Sequence, residues 1–186
     1  MTKLFRRILI ATLCATAALT LSAAQTQAPA PIDGPSQIFR DPLLDNMAGS
    51  WKLTGAIGKR PVEHTVDAQW ILNHQFLEIH EKDTAAPKTG SPAYEATVMI
   101  GYDNASERYV AHWIDIFGGR FSETLGYGTR SAGAIAFNFE YPDGPFRTTF
   151  EWRPEQTQWQ WHMRQKNTAG QWQDFANLTL TRTSPN

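Results

Sequence analysis

Phe146-Arg147-Thr148-Thr149-Phe150-Glu151-Trp152-Arg153 is the stretch that decides the fold. Phe146, Thr148, Phe150 and Trp152 fall on one side of an extended chain, and Arg147, Thr149, Glu151 and Arg153 on the other. Successive side chains of a strand point to opposite faces, so this period of two predicts a half-buried antiparallel strand. The next run repeats the pattern, with Trp159, Trp161 and Met163 opposed to Gln158, Gln160, His162 and Arg164.

Outward from these two runs, β-rich segments recur toward both ends. They lie near 49–58, 62–71, 75–83, 93–102, 108–116, 120–127, 133–141, 146–153, 157–166 and 171–182. Turn-forming residues separate them, among them Gly58-Lys59-Arg60-Pro61, Asp103-Asn104-Ala105-Ser106, Gly118-Gly119 and Asn167-Thr168-Ala169-Gly170, while 84–92 reads as a longer loop. The pattern predicts an all-β protein: an antiparallel up-and-down β-barrel of about ten strands, since closing a long meander removes its exposed edges. Eight strands enclose room for side chains or one small ligand, and ten enclose more. Ahead of the first strand, Asp41 suits a helix cap, Pro42 the first helical position and Gly49 the stop. One short helix is expected there, with Leu43, Leu44 and Met47 facing the core.

The N-terminal segment has a different character. Lys3, Arg6 and Arg7 precede an apolar run from Ile8 to Leu21, followed by Ser22, Ala23 and Ala24. That run is shorter than the roughly 20 residues that span a bilayer and fits the core of a cleavable signal peptide. Residues 1–24 are therefore expected to be a signal peptide cut after Ala24, with Ala23 and Ala28 as alternative sites. Residues 25–40, rich in Gln, Ala and Pro, read as a flexible linker, and 41–186 as a single β-barrel domain. The one cysteine, Cys14, follows Leu13 where lipid attachment wants a small residue, so no lipid anchor is expected after cleavage. The expected location is secreted or periplasmic. Loss of Lys3, Arg6 and Arg7 takes the 17 basic residues to 14 against 18 acidic ones, a net charge of −4. Such a surface argues against nucleic acid and against anionic membranes as partners.

Further motifs carry a resemblance. Gly49-Ser50-Trp51, placed after a short helix, resembles the Gly-x-Trp opening of lipocalin-type (calycin) barrels, in which the Trp plugs the closed end against the helix. Gly101-Tyr102-Asp103, then Tyr109-Val110-Ala111-His112-Trp113-Ile114-Asp115, then an apolar strand ending Thr181-Arg182, complete the pattern. Together, over roughly residues 45–182, they resemble the bacterial family known as domain of unknown function 1579. The resemblance implies a secreted barrel-like fold with no agreed activity. The family's glycine-rich turn before the third strand is replaced here by Leu72-Asn73-His74-Gln75-Phe76. Asn tolerates positive φ, so the turn can survive.

Candidate site residues cluster on 108–127. Tyr109, Ala111, Trp113 and Asp115 share one face, and Phe121, Glu123, Leu125 and Tyr127 share a face on the next run. If both faces line the barrel, Tyr109, Trp113, Asp115, Phe121, Glu123 and Tyr127 form a ligand-binding wall. Across a Gly118-Gly119 hairpin, Asp115 and Glu123 would then approach as an acid/base pair, because close carboxylates push their pKa values apart. Alternatively each pairs with an arginine such as Arg120, Arg130 or Arg147. His64, His74, His80, His112 and His162 show no metal-ligand spacing, so no metal is expected. Some calycin-like barrels hold haem through a histidine near the C-terminus, which makes His162 the one haem candidate; otherwise no cofactor is expected.

The first functional reading is an exported module that binds a small, largely apolar or amphipathic molecule inside the barrel. The alternatives are a small-molecule enzyme using Asp115 and Glu123, or a structural or interaction protein with no ligand.

Overall fold

A computed structural model describes residues 38–85 and 92–183. The expected signal peptide and most of the expected linker lie outside these residues. Among the described residues no helix is long and apolar enough to cross a membrane.

Ten antiparallel strands close into an up-and-down barrel in which each strand pairs with its sequence neighbours and β1 (Gly49–Ile57) closes on β10 (Trp172–Arg182). Between them lie β2 (Arg60–Ile71), β3 (Phe76–Asp83), β4 (Glu95–Asp103), β5 (Arg108–Asp115), β6 (Leu125–Arg130), β7 (Ala134–Tyr141), β8 (Gly144–Arg153) and β9 (Gln158–Lys166). The alternation read in 146–153 holds: Thr148 and Phe150 are buried, while Arg147 and Arg153 are exposed.

The helix α1 (Pro42–Asp45) sits under one end of the barrel. Oδ1 of Asp41 accepts the backbone N–H groups of Leu43 and Leu44 at 2.8 and 3.2 Å, satisfying donors that a helix start leaves free. Leu43, Leu44 and Met47 are buried, as their spacing predicted. Trp51 rises from β1 into this floor, fully buried, and its indole N–H donates to the Met47 carbonyl at 2.7 Å. Its ring packs edge-on against Trp152, which packs in turn on Trp159. Arg182, the last residue of β10, lies over the Trp51 ring at 4.2 Å and donates to the carbonyls of Ala48 and Asn46 at 3.1 and 3.0 Å. This is the plugged end that the Gly-x-Trp resemblance implies. The turn at Leu72, Asn73 and His74 survives without glycine: all three residues take positive φ, and Nδ1 of His74 donates to the Phe39 carbonyl at 2.7 Å.

One strand was misplaced by the sequence reading. The run at 120–127 is not a single strand after a tight hairpin. Gly119–Ser122 forms a one-turn helix, α2, entered through Gly118 at φ 79°, and β6 begins only at Leu125. Its inward residues are Gly126 and Gly128, not Leu125 and Tyr127. A side chain at Gly126 would collide with the Phe139 ring, and one at Gly128 with the Phe137 ring. Bare backbone on β6 thus makes room for two aromatic rings from β7.

Candidate functional site

The strand directions give the barrel two unlike ends. The floor holds α1, the β2–β3 and β4–β5 turns and the C-terminal Arg182. The opposite end, the mouth, carries the connections after β1, β3, β5, β7 and β9. Above the floor the lumen is filled by Trp161, Phe137 and Phe150, each essentially without exposure. Toward the mouth, the inward residues Trp113, Asp115, Tyr141 and Phe146 retain solvent-accessible surface. The wall is also incomplete there. The β5–β6 ladder ends at His112 and Leu125, and the β6–β7 ladder at Tyr127 and Asn138. On that side Trp113–Asp115 of β5 and Phe139–Tyr141 of β7 run past the start of β6. α2 lies against β5 at this point, with Nε2 of His112 donating to the Ser122 carbonyl at 2.6 Å.

A polar cluster faces into this mouth from β2, β3, β5 and the approach to β4. Nδ1 of His64 donates to Oε1 of Glu81 at 2.5 Å, and both side chains are only 2% exposed. The two residues project inward because they continue the apolar faces of their strands, His64 in phase with Val66 and Ala68, and Glu81 in phase with Leu77 and Ile79. The Tyr94 ring stacks on His64 with centroids 5.6 Å apart and meets Phe117 at 6.2 Å. Burial pushes the Tyr94 phenol well above its ordinary pKa, and the Glu81 and Asp115 carboxylates push it further, so both acids act on one hydroxyl. Asp115 is itself raised, chiefly by burial; the Phe117 amide, whose N–H it accepts at 2.9 Å, and the Trp113 indole oppose that rise. Tyr141 is pushed up to about 12 by burial and by Asp115. At neutral pH both phenols are protonated donors.

Glu81 has one unmet group. Its Oε2 is buried and has no hydrogen-bond partner among the described residues. Such an atom forgoes about 1–3 kcal/mol of solvation without compensation.

The six residues read from sequence as a ligand wall do not converge. Trp113 and Asp115 reach the mouth. Tyr109 points inward but at the floor end of β5, about 20 Å from Asp115 along the strand. There its hydroxyl donates to Asp41, which also holds Nε of Arg130 at 2.8 Å. Tyr127 points outward, 40% exposed, under the Arg108 guanidinium at 3.6 Å. Glu123 is the exposed C-cap of α2, so it cannot pair with Asp115 inside the barrel, and the two-carboxylate reading is withdrawn. The Phe121 side chain lies outside what the structure describes. Arg130 serves Asp41, Arg120 bonds Asp143 at 2.5 Å, and Arg147 bonds Asn138 at 2.7 Å. His162 is on the outer face of β9, its Nδ1 bonded to Oδ1 of Asn177 at 2.8 Å, so it cannot act as an axial ligand to a haem in the lumen. Among the described residues no group of three or more His, Cys, Asp and Glu is arranged to hold a metal.

Two depressions on the outer wall compete for attention. One, about 480 Å³, is lined by Ser50, Asp67, Gln69, Glu78, His80 and Thr97. Three of its polar groups are engaged locally, Ser50 donating to Asp67 at 2.5 Å and His80 bonded to Glu95 at 2.7 Å. That is the ordinary state of a solvated sheet face. The other, about 280 Å³, lies over Phe76, Gly101, Val110, Leu125 and Tyr127.

A ten-stranded up-and-down barrel, plugged at one end by a helix and a Gly-x-Trp tryptophan and furnished with polar groups at the other, is a barrel of the lipocalin-like kind. The chain belongs to the family described as Protein of unknown function (DUF1579), whose model matches residues 41–182. No curated protein matches the chain.

Proposed function

We propose that the protein is a binding module that admits one small, largely apolar molecule through the barrel mouth. The observation that carries this reading is the contrast along the lumen. The inward aromatic side chains Trp113, Tyr141 and Phe146 at the mouth keep contact with solvent, while Phe137, Phe150 and Trp161 in the middle of the barrel have none. Aromatic walls with a few convergent polar groups are the common make-up of small-molecule sites. Native mass spectrometry of protein purified from its own host should reveal a bound small molecule. A neutral probe such as N-phenylnaphthylamine should bind saturably, and Val62→Trp, which fills the mouth from β2, should abolish that binding. An empty protein that also fails to bind the probe overturns the reading.

We also propose that this module is exported and works outside the cytoplasm. The support is the basic, apolar and small-residue sequence of residues 1–24. Terminal sequencing of protein recovered from the host periplasm or medium should start near Gln25. Recovery only as a cytoplasmic chain that retains Met1 overturns it.

A further inference from the structure

We infer that the molecule received at the mouth carries a protonated amine, seated on Oε2 of Glu81 and within the field of Asp115. This deepens the binding reading above and rests on it. The argument starts from an imbalance of hydrogen-bonding groups. Glu81 is 2% exposed; one carboxyl oxygen takes the His64 N–H, and the other takes nothing among the described residues. Buried carboxylates are ordinarily paired on both oxygens, because an unmatched one loses its water without replacement. The group that matches Oε2 is a donor, and it has to reach the inner face of β3 from the lumen.

The surroundings select the kind of donor. A second carboxylate, Asp115, faces the same space, and Tyr94 lies within the field of both acids. Among the described residues, no lysine or arginine is paired with either carboxylate: Lys59 and Arg60 at the β1–β2 turn are exposed, Arg120 pairs with Asp143, Arg164 with Asp174, and Arg147 and Lys166 lie over the outer ring of Trp172. The lumen here holds two acids and the single imidazole of His64. A ligand that brings a positive charge improves this balance, and one that brings a carboxylate worsens it. The walls suit an ammonium group as well. The rings of Tyr94 and Trp113 are π-systems of the kind that attract a cation, and Phe146 and Tyr141, packed together at 5.9 Å, add apolar surface. A primary ammonium donates hydrogen bonds to carboxylate oxygens, whereas a quaternary one does not. The ligand class is therefore an amphipathic primary or secondary amine.

A matched set of probes tests this: octylamine, octanol, octanoate and octyltrimethylammonium, titrated into the full barrel domain by calorimetry at neutral pH. Octylamine is expected to bind at least about tenfold tighter than octanol, the factor that one charge-assisted bond supplies. Octanoate should bind weakest, and octyltrimethylammonium should fall between octylamine and octanol. Glu81→Gln should reduce the octylamine-to-octanol ratio to near one while leaving octanol binding in place. Asp115→Asn, which leaves the His64–Glu81 pair intact, should lower the same ratio by a smaller factor; it keeps the test decisive if Glu81→Gln does not fold. Equal binding of octylamine and octanol to the natural protein, or a ratio unchanged in both variants, overturns this inference and leaves the binding module standing. Failure of all four probes while N-phenylnaphthylamine still binds likewise overturns this inference alone; failure of N-phenylnaphthylamine as well, with an empty purified protein, overturns the binding module itself.

Discussion

The two ends of the barrel treat buried acids in opposite ways. At the floor, Asp41 is 3% exposed and fully engaged: it caps α1 with two backbone bonds, accepts from Tyr109 and pairs with Arg130. At the mouth, Glu81 is as deeply buried but leaves one oxygen unmatched among the described residues, and Asp115 is opposed in its upward shift only by the Phe117 amide and the Trp113 indole. The floor is arranged for stability. The mouth keeps unspent hydrogen-bonding capacity, the usual condition of a site awaiting a partner.

Four substitutions sharpen or break that contrast. The largest effect is expected from Trp51→Ala, which empties the floor and orphans the Met47 carbonyl; denaturant unfolding should record a loss of about 3–5 kcal/mol. Asp41→Asn keeps the side-chain shape but removes the charge facing Arg130 and should cost roughly 2 kcal/mol near pH 7. That cost has a pH signature. Burial alone would raise the Asp41 carboxyl, but the bonds from Tyr109, Arg130, Leu44 and Leu43 outweigh it and hold the carboxyl below its ordinary value. A depressed carboxyl stabilises the fold above its unfolded pKa, about 4, and that stability fades as pH falls through the folded value. The gap between the natural protein and Asp41→Asn should therefore close below about pH 4, as read by thermal unfolding across pH.

At the mouth the same carboxylate-to-amide change should behave differently. Glu81→Gln removes an acid with one oxygen unmatched among the described residues, so unfolding stability should move by no more than about 1 kcal/mol in either direction. A loss as large as that of Asp41→Asn would erase the distinction between the ends. The smallest effect is expected from Asp115→Asn. Its raised carboxyl disfavours the folded state as it ionises, so the penalty is absent below the unfolded pKa and complete above the folded one. The amide should raise Tm by roughly 2 °C at pH 7 and by nothing near pH 3.

Much of this architecture was legible in the sequence, for reasons tied to particular residues. Phe146 to Arg153 and Gln158 to Arg164 alternate cleanly because one face packs and the other meets water. Asp41, Pro42 and Trp51 follow local rules for caps and plugs, which need no tertiary knowledge. The face of β6 was misread because its apolar residues, Leu125 and Tyr127, point outward. The space they were expected to fill is taken by Phe137 and Phe139, reaching over Gly126 and Gly128. A glycine in a strand does not announce which distant ring will cover it.

The site was half legible for a similar reason. Trp113 and Asp115 share the inward face of β5, so they were found. Tyr109 shares that face too, yet belongs to the floor, because parity along a strand gives direction and not height. His64 and Glu81 were passed over. Their signal was present: a polar residue in phase with Val62, Val66 and Ala68 on one strand, and another in phase with Leu77 and Ile79 on the next. Each alone is the bland exception on an apolar face; only the register of β2 with β3, which sets Val66 opposite Glu81 and His64 opposite Asp83, brings the two into contact.

Arg182 has a consequence for how the molecule comes to be. Its guanidinium seals the seam between the first and last strands, 136 residues from one of the carbonyls it binds. Until that residue emerges from the ribosome, β1 has only β2 beside it, and the Trp51 floor lacks its outer cover. Closure of the ring is thus the most non-local contact among the described residues and is expected among the late folding events, since loops that long are slow to close. A chain so ordered keeps one edge of its sheet open until residue 182 is in place.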